Sequence, residues 1–471
     1  MFFRSFFDEK LAQYSYMVGC QRTGEAIIVD PAREITPYLE TAKKEGFTIS
    51  AVTETHIHAD FVSGARQLAT ELGAKLYLSD EGDENWKYLY TEGLDVELVK
   101  EGSIFKVGNV KFEVLHTPGH TPESISFVLT DIGGGSDVPM GIFTGDFVFV
   151  GDIGRPDLLE KAAGVAGTSE SGARQMFQSL NKFKELPDYL VVWPGHGAGS
   201  ACGKSLGAVP ISTVGYEKEN NWALKHTDEE AFVAELLEDQ PEPPRYFAMM
   251  KKVNKEGPTV LTGEEIPVID DRKEMERLLE DENTILLDTR KASEFAEKHV
   301  LGALNLPYNK AFTNWAGWLV SYDAKYVVIG EVELFQEIQE SLESIHLDGA
   351  IAYVPAEIVE QYSADETTGY SFITMEELEK VYAGEDYYVV DIRKATEWRD
   401  GHLPHAHHHM LGDLYESAGE IPKDKKVVVH CQSGTRSAIG TSLLQGLGFD
   451  VVNYAGGYAE WEREQKPVER G

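Results

Sequence analysis

The sequence predicts an α/β protein that is built from more than one domain. Its 471 residues exceed what one hydrophobic core usually serves. Short β-rich runs alternate with amphipathic, helix-like stretches, a pattern that is typical of sheets covered by helices. The second half also repeats itself, which indicates two copies of one smaller domain.

Charge and cysteine content restrict the class of protein. Lys and Arg total 43 against 79 Asp and Glu, a net charge of −36, so binding to nucleic acid or to an anionic membrane surface is disfavoured. The three cysteines, Cys20, Cys202 and Cys431, lie far apart without a CxxC pair, which argues against disulfides or a zinc ribbon. Since neither a signal peptide nor a membrane span is recognisable, we expect a cytoplasmic protein.

The repeat sets the predicted domain boundaries. The run from Ile285 aligns with the run from Tyr388, and the matching pairs are Asp288 and Asp391, Arg290 and Arg393, Glu294 and Glu397, and His299 and His402. Each copy also opens with a helix-capping pattern, Asp271 with Glu274 and Thr374 with Glu377. With a proline-dense linker after residue 240, we predict domains at 1–245, 250–360 and 366–471.

Candidate metal ligands follow strand-like runs in the first domain. The run Ile49–Thr53 ends in THIHADF, and three further strand-like runs end in HTPGHTPES, FTGDF and PGHG. Ligands commonly gather beyond strand ends in layered α/β folds. The side chains concerned are His56, His58, Asp60, His120, Asp146 and His196.

These motifs resemble the metallo-β-lactamase superfamily over roughly Phe2 to Trp222. Its binuclear hydrolases carry a histidine at the position of Phe61, and a phenyl ring cannot bind a metal. The sequence motifs THIHADF, TPGHTPES, FTGD and GRPD are most similar to those of the persulfide dioxygenases, whose iron is held by two histidines and one aspartate. The resemblance therefore implies one Fe(2+) per chain on His56, His120 and Asp146, with open positions for dioxygen and substrate.

Other residues of the first domain receive supporting roles. The resemblance implies that His58, Asp60 and His196 orient ligands or substrate. Arg155 could brace the site, contact the thiol carrier, or only form a salt bridge with Asp157. Cys202 follows His196 closely, and either a sulfur-relay or oxidation-sensing role or a passive one is open.

The last copy contains CQSGTR, which resembles the rhodanese active-site loop. A loop of inward-pointing N–H groups before a helix stabilises a thiolate or persulfide, so Cys431 is the predicted nucleophile and Arg436 the predicted anion partner. Gly330 aligns with Cys431 in the middle copy, which we therefore expect to be inactive. The two resemblances imply an αββα sandwich followed by two rhodanese-like α/β domains with parallel sheets.

Together the resemblances imply iron-dependent oxidation of a low-molecular-weight thiol persulfide to sulfite, coupled to sulfur transfer that forms or uses thiosulfate. The carrier thiol, glutathione, coenzyme A or another, and the direction of transfer stay open. Two alternatives are a zinc thioester hydrolase of the glyoxalase II type fused to a sulfurtransferase, and a non-catalytic persulfide carrier or sensor. A homo-oligomer is expected on general grounds. The cluster His405, His407, His408 and His409 is read as a solvated loop, with metal binding as its alternative.

Overall fold

A computed structural model describes residues 1–158, 160 and 167–471. The chain divides into two compact units. Unit 1 comprises Met1–Gly263 with Glu343–His346, and unit 2 comprises Glu264–Leu342 with Leu347–Gly471.

Unit 1 contains two β-sheets and helices that cover their outer faces. Its strands are β1 (Phe2–Asp8), β2 (Gln13–Cys20), β3 (Glu25–Val29), β4 (Thr48–Thr53), β5 (Lys75–Ser79), β6 (Val96–Val99), β7 (Ile104–Val107), β8 (Val110–His116), β9 (Ile125–Asp131), β10 (Gly141–Gly145), β11 (Val191–Pro194) and β12 (Ser212–Thr213). Its α-helices within the described residues include α1 (Thr36–Glu45), α2 (Ala65–Leu72), α3 (Thr168–Lys184), α4 (Val214–Asn220), α5 (Glu229–Leu237) and α6 (Tyr246–Glu256).

The two sheets of unit 1 pack face to face. In the described chain the strand orders are β1-β2-β3-β4-β5-β6 and β12-β11-β10-β9-β8-β7. The core between them contains large aromatic side chains, among them Tyr16, Phe127, Phe143 and Trp193. Helices α1 and α2 pack on the outside of the first sheet, and α3 and α5 on the outside of the second. The predicted αββα sandwich is confirmed.

Helix α6 extends unit 1 beyond the predicted linker. It buries Tyr246, Phe247 and Met250, so the segment after Arg245 packs on the first domain. Its Asn254 side chain donates hydrogen bonds to the carbonyl oxygens of His58 (2.8 Å) and Phe61 (2.6 Å). The helix therefore supports the loop that follows β4.

Unit 2 contains the two repeats. Its strands are β13 (Thr284–Asp288), β14 (His299–Val300), β15 (Leu304–Asn305), β16 (Lys325–Gly330), β17 (Ala350–Pro355), β18 (Thr367–Thr368), β19 (Ser371–Phe372), β20 (Tyr387–Asp391), β21 (Ala406–His408), β22 (Lys426–His430) and β23 (Val451–Tyr454). Its α-helices are α7 (Arg272–Leu278), α8 (Ala292–Glu297), α9 (Phe312–Leu319), α10 (Phe335–Glu343), α11 (Met375–Val381), α12 (Ala395–Asp400), α13 (Leu414–Ser417), α14 (Thr435–Gly446) and α15 (Gly457–Arg463).

Each repeat forms its own parallel sheet, as predicted. The orders are β15-β13-β16-β17 in the middle copy and β19-β23-β22-β20-β21 in the last copy. Their strands are β-branched and buried, as sheets covered on both faces require. Asp271 and Thr374 cap the helices that open the two copies, each accepting a bond from a backbone N–H three residues on. The predicted caps are confirmed.

The strand register aligns the two copies residue by residue. Asp288 pairs with Ile329 in the middle sheet, and Asp391 pairs with His430 in the last sheet. The next residues are Gly330 and Cys431, so Gly330 occupies the position of the predicted nucleophile. In the described part of the chain, no helix combines the length and apolar character needed to cross a bilayer.

Candidate metal centre and sulfur-transfer loop

Four strand ends of unit 1 deliver the predicted metal-site side chains. His56 follows β4, His120 follows β8, Asp146 follows β10 directly, and His196 follows β11. Strand β9 pairs antiparallel with β8 and β10, and β11 pairs parallel with β10, so β8, β10 and β11 run the same way. Their carboxyl ends therefore meet at one edge, where layered folds commonly bind ligands.

Three donors converge at this edge. His56, His120 and Asp146 are buried, and one ligand atom from each lies within 4.8 Å of the others. The Asp146 Oδ2 atom is 3.5 Å from Nε2 of His120 and 3.9 Å from Nε2 of His56. The two imidazole rings stand perpendicular, with centroids 5.0 Å apart. Two nitrogens and one oxygen thus face a common point.

Hydrogen bonds on the far side of each ring fix which nitrogen is free. His120 Nδ1 lies 2.9 Å from the carbonyl oxygen of Arg155, which can only accept, so Nδ1 carries the proton. Thr55 Oγ1 donates to Asp30 Oδ2 (2.9 Å) and therefore accepts from His56 Nδ1 (3.0 Å). Both Nε2 atoms keep their lone pair for a metal, as ligating histidines require.

Burial and charge keep this set in its ligating form. Burial lowers the pKa of His56 and of His120, so both rings are neutral. Burial alone would raise the pKa of Asp146, but the neighbouring His196, His56 and His120 together outweigh it and hold that pKa below its usual range. His196 has its own pKa raised well above the ordinary value because Asp146 and Asp60 outweigh the effect of its burial.

The donor set fits a metal ion. Among the described residues, His56 Nε2 and Asp146 Oδ2 are buried without a hydrogen-bond partner. Unpaired polar atoms in the interior are costly and need an explanation. A divalent cation supplies one, since neutral imidazole and carboxylate are ligands that it accepts. Two histidines and one carboxylate with free coordination positions suit ferrous iron.

His58 points away from these three donors. Its Nε2 atom lies 3.0 Å from Asp30 Oδ1, and its ring packs on Phe61 with centroids 4.4 Å apart. Burial would lower the pKa of His58, but Asp30 outweighs it and raises the pKa to about 9. Within the described residues, His58 is not grouped with the three donors, and its contact with Asp30 is compatible with the orienting role that the resemblance implies.

Asp60, His196 and Cys202 form a second buried group. One ligand atom from each lies within 4.8 Å of the others. His196 bridges two carboxylates, with Nε2 2.6 Å from Asp60 Oδ2 and Nδ1 2.7 Å from Asp146 Oδ1. Burial raises the pKa of the Cys202 thiol well above its ordinary value, so the thiol stays protonated. The structure thus brings Cys202 beside the metal centre.

Arg155 is buried, with 1% of its surface exposed. Its guanidinium donates to both carboxylate oxygens of Asp157 at 2.7 and 2.6 Å, and to the carbonyl oxygen of Pro241. Its backbone carbonyl orients His120, and its backbone N–H donates to the carbonyl oxygen of Cys202 (3.0 Å). Of the roles that the sequence left open, these contacts correspond to the brace and the salt bridge.

In unit 2, strand β22 delivers Cys431 to a tight loop before α14. The Cys431 Sγ atom accepts a hydrogen bond from the N–H of Gly434 (3.2 Å), and the side chain is 1% exposed. Gly434 has φ of +95°, and a Cβ there would lie 2.7 Å from the carbonyl oxygen of Ala455. Only glycine fits this turn. The loop therefore directs a backbone donor at the sulfur, as a thiolate requires.

A buried ion pair lies at the end of β20, the strand that pairs with β22. Arg393 donates from Nη2 to Asp391 (2.7 Å) and to the carbonyl oxygen of Gly401 (2.7 Å). His402 stacks on Trp398 with ring centroids 3.5 Å apart. These residues hold the frame of the domain and do not contact the sulfur of Cys431 through any described hydrogen bond.

The predicted histidine cluster does not gather into a metal site within the described residues. His407 stacks on Tyr388 with centroids 4.0 Å apart, and His408 bonds to the carbonyl oxygen of Arg393 (2.8 Å). His409 is buried beside Tyr388 at 3.4 Å. The side chains diverge because β21 alternates them between its two faces.

Sequence reasoning missed two groups of residues that contact the predicted site residues. Asp30 and Thr55 orient both histidines of the THIHADF loop. Glu397 holds the Arg436 side chain. Asp30 directly follows the apolar strand β3, a position that could have marked it, but its contact with a loop 25 residues further on is tertiary and leaves no local pattern.

Comparisons with known proteins agree with this division. The Metallo-beta-lactamase superfamily model matches residues 9–196. The Rhodanese-like domain model matches residues 271–334 and 374–464. Both halves of the predicted fusion are therefore shown.

Three relatives illustrate the likeness. A crystal structure of a metallo-beta-lactamase from Staphylococcus aureus is 45% identical, covers 75% of this chain and 99% of its own, and gives a TM-score of 0.68. A probable hydroxyacylglutathione hydrolase of Schizosaccharomyces pombe is 33% identical over 39% of this chain and 63% of its own length. The putative sulfurtransferase YtwF of Bacillus subtilis is 40% identical over 19% of this chain and 86% of its own.

Other matches are partial. The chain spans about half the length, 54%, of the beta-lactamase hydrolase-like proteins of Xylella fastidiosa that it matches. The Staphylococcus aureus structure matches most of the chain, and the two family models match its first and second halves. The chain therefore belongs to the metallo-beta-lactamase superfamily, with rhodanese-like domains following its metal-binding domain.

Proposed function

We propose that unit 1 oxidises a low-molecular-weight thiol persulfide with dioxygen at a single ferrous ion, and that unit 2 transfers sulfane sulfur through Cys431. The observation that carries the proposal is the donor set His56, His120 and Asp146, whose free atoms face one point. His58 is held by Asp30 and does not join it. This arrangement favours one ion with open positions over a pair of ions.

The proposed oxidation balances without a further reductant. A thiol persulfide, dioxygen and water give the thiol, sulfite and two protons. Bound iron would supply the redox contact with dioxygen that side chains lack. The chain orients the donors: His56 and His120 keep Nε2 unprotonated, and His196 holds a proton on Nδ1 toward Asp146 Oδ1.

Sulfur transfer in unit 2 uses the Cys431 thiolate as the nucleophile. The outer sulfur of a donor bonds to Cys431, the sulfur–sulfur bond of the donor breaks, and the leaving group departs with the electron pair. Sulfite then accepts this sulfur as thiosulfate, or thiosulfate supplies it in the reverse direction. Sulfite from the proposed oxidation is thus a substrate for the second site.

A thioester hydrolase is the second candidate function. The relative named as a hydroxyacylglutathione hydrolase and the buried group of Asp60, His196 and Cys202 favour it. Against it, His196 Nδ1 is already bonded to Asp146, and the position where binuclear relatives carry a histidine is Phe61. Metal content separates the two candidates.

The test is metal analysis and oxygen uptake on the full chain expressed without added metal. We expect about one iron per chain, negligible zinc, and oxygen consumption that depends on a persulfide of glutathione or coenzyme A. His56→Ala should lose both the iron and the uptake, because it removes one of three ligands. His226→Ala is the matched control, since His226 pairs with Glu235 at a partly exposed position and should change neither.

Two outcomes would overturn the proposal. Zinc without iron, thioester hydrolysis and no oxygen uptake would establish the hydrolase. Full sulfur chemistry in His56→Ala would leave unit 1 as a scaffold and favour a persulfide carrier or sensor.

A further inference from the structure

Arg436 is already engaged by a carboxylate. Its Nη1 and Nη2 atoms donate to the two oxygens of Glu397 at 2.6 and 2.7 Å. The two side chains are 18% and 29% exposed. Such a bidentate pair has the geometry of the stronger ion pairs in proteins. The guanidinium expected to attract an anionic sulfur donor is therefore paired with a negative charge of the chain.

The other cation beside the loop is compensated in the same way. Arg393 is 1% exposed, pairs with Asp391, and lies over the ring of Tyr458 at 4.1 Å. Burial lowers the pKa of His430, which leaves that ring neutral. The charges of the two arginines are thus offset by those of two carboxylates. Among the described residues, the N–H of Gly434 donates to the Cys431 sulfur.

We propose that Glu397 determines donor specificity at Cys431 by neutralising Arg436, so that donors with one charge or none are preferred over dianions such as thiosulfate. The inference rests on the proposed sulfur transfer and deepens it. A dianion gains little attraction from a cancelled charge, and the net charge of −36 repels it further. Low affinity for thiosulfate also helps thiosulfate to leave once it is formed.

The two donor classes react by the same bond exchange. With a thiol persulfide, the Cys431 thiolate takes the outer sulfur, and the thiol leaves with the electron pair and the proton of the persulfide. With thiosulfate, sulfite leaves with the electron pair. Neither exchange needs an external oxidant. The two donor classes therefore differ at this site mainly in their charge, and Glu397 determines how strongly that charge affects binding.

A structural role for Glu397 must be separated from this one. Its Oε2 atom also accepts from the backbone N–H of Lys394 (3.0 Å) at the start of α12. Glu377 makes the equivalent capping contact with Thr374 (2.9 Å) at the start of α11, and its neighbouring cation is Lys380. Glu377→Gln is therefore a matched control that weakens a helix cap in the same domain and leaves Arg436 paired.

The experiment compares thiosulfate with methanethiosulfonate, in which a methyl group replaces one charged oxygen. The full chain, Glu397→Gln and Glu377→Gln are assayed for thiocyanate formation with cyanide as acceptor. Glu397→Gln should raise kcat/KM about tenfold for thiosulfate and about threefold for methanethiosulfonate, mainly through KM, because Coulomb energy scales with donor charge. Added salt should remove this gain, and Glu377→Gln should match the unmodified chain.

Equal changes for both donors, or a salt-insensitive gain, would overturn the inference. If Glu397→Gln does not fold, the unmodified chain still provides a test. Its kcat/KM for thiosulfate should not fall as salt is added, whereas an available Arg436 would make it fall steeply. Absence of thiocyanate from every donor in the unmodified chain would instead refute sulfur transfer itself.

Discussion

The two rhodanese-like copies of unit 2 share one frame. In the middle copy Arg290 donates to Asp288 (2.6 Å) and to the carbonyl oxygen of Lys298 (3.0 Å). In the last copy Arg393 makes the same two kinds of contact, to Asp391 and to a carbonyl oxygen eight residues further along the chain. Each arginine thus links the end of a strand to the residue that directly follows the next helix.

The copies differ where the chemistry is expected. After β22 the last copy has Cys431 and a glycine turn, whereas after β16 the middle copy has a short 3-10 helix, Val332–Leu334. The residue aligned with Arg436 is Phe335, which is buried and packs on Tyr353 at 4.9 Å. An apolar contact thus occupies the place of the loop arginine.

The middle copy still contributes packing. The N–H of Asn305 donates to Ser442 Oγ on α14 (3.1 Å), and α14 begins at the cysteine loop of the last copy. A Cβ on Gly412 would collide with the ring of Trp318. Both copies thus retain the Asp-x-Arg ion pair, which stabilises the end of a strand in each sheet. Only the last copy has the cysteine loop, which the proposed chemistry requires.

The largest contrast is expected for the nucleophile. Cys431→Ser should lower sulfur transfer to cyanide at least about a thousandfold, because serine is not a nucleophile without a base to activate it. Persulfide-dependent oxygen uptake should persist, with the product shifted from thiosulfate toward sulfite. Glu331→Gln, at the aligned loop of the middle copy, is the control and should change neither. Unchanged thiosulfate yield in Cys431→Ser would place the transferase elsewhere.

The shared ion pairs should differ in their effect on stability. Asp391→Ala leaves Arg393 buried without its carboxylate and should cost about 3 kcal/mol. Asp288→Ala should cost less, about 2 kcal/mol, because the Arg290 side chain is 9% exposed against 1% for Arg393. Denaturant unfolding of unit 2 measures both.

Asp281→Ala serves as the control for these two variants. Its pair with Lys325 is 45% and 58% exposed, so its loss should cost at most about 1 kcal/mol. Equal losses in the free energy of unfolding for Asp288→Ala and Asp391→Ala would mean that the difference in burial between the two ion pairs does not affect their contribution to stability.

The Asp391 pair also predicts a pH dependence. Burial alone would raise the pKa of Asp391, but His430 and Arg393 outweigh it and lower the pKa. A lowered pKa stabilises the fold above the unfolded value near 4, and this contribution is lost as pH falls through the folded pKa. The stability difference between the unmodified chain and Asp391→Asn should therefore shrink below about pH 4, and a constant difference would contradict the assignment.

The sequence predicted the features that depend on local pattern. The apolar runs, the caps at Asp271 and Thr374, and the repeat were visible because each is written in consecutive residues. Strand-end motifs also pointed to His56, His120 and Asp146, since a fold of this class brings strand ends together.

What the sequence could not predict depends on tertiary contact. The bond from His58 to Asp30 joins residues 28 apart, and the pair of Arg436 and Glu397 joins residues 39 apart. The packing of α6 on unit 1 is of the same kind, because it depends on Asn254 and on burial of the apolar face of the helix. Such contacts follow only from packing.

The smallest expected effect is that of restoring the missing thiol. In a Cys431→Ser background, Gly330→Cys should recover no thiocyanate formation, because a Cβ at residue 330 would collide with Thr289 Oγ1. No glycine turn directs an N–H at that position in the described middle copy, and Phe335 fills the place of the arginine. Mass spectrometry after incubation with thiosulfate measures sulfur on the new thiol. Sulfur loading at residue 330 would show that the sheet and ion pair shared by both copies are sufficient for the chemistry. It would contradict the conclusion that the chemistry requires the cysteine loop.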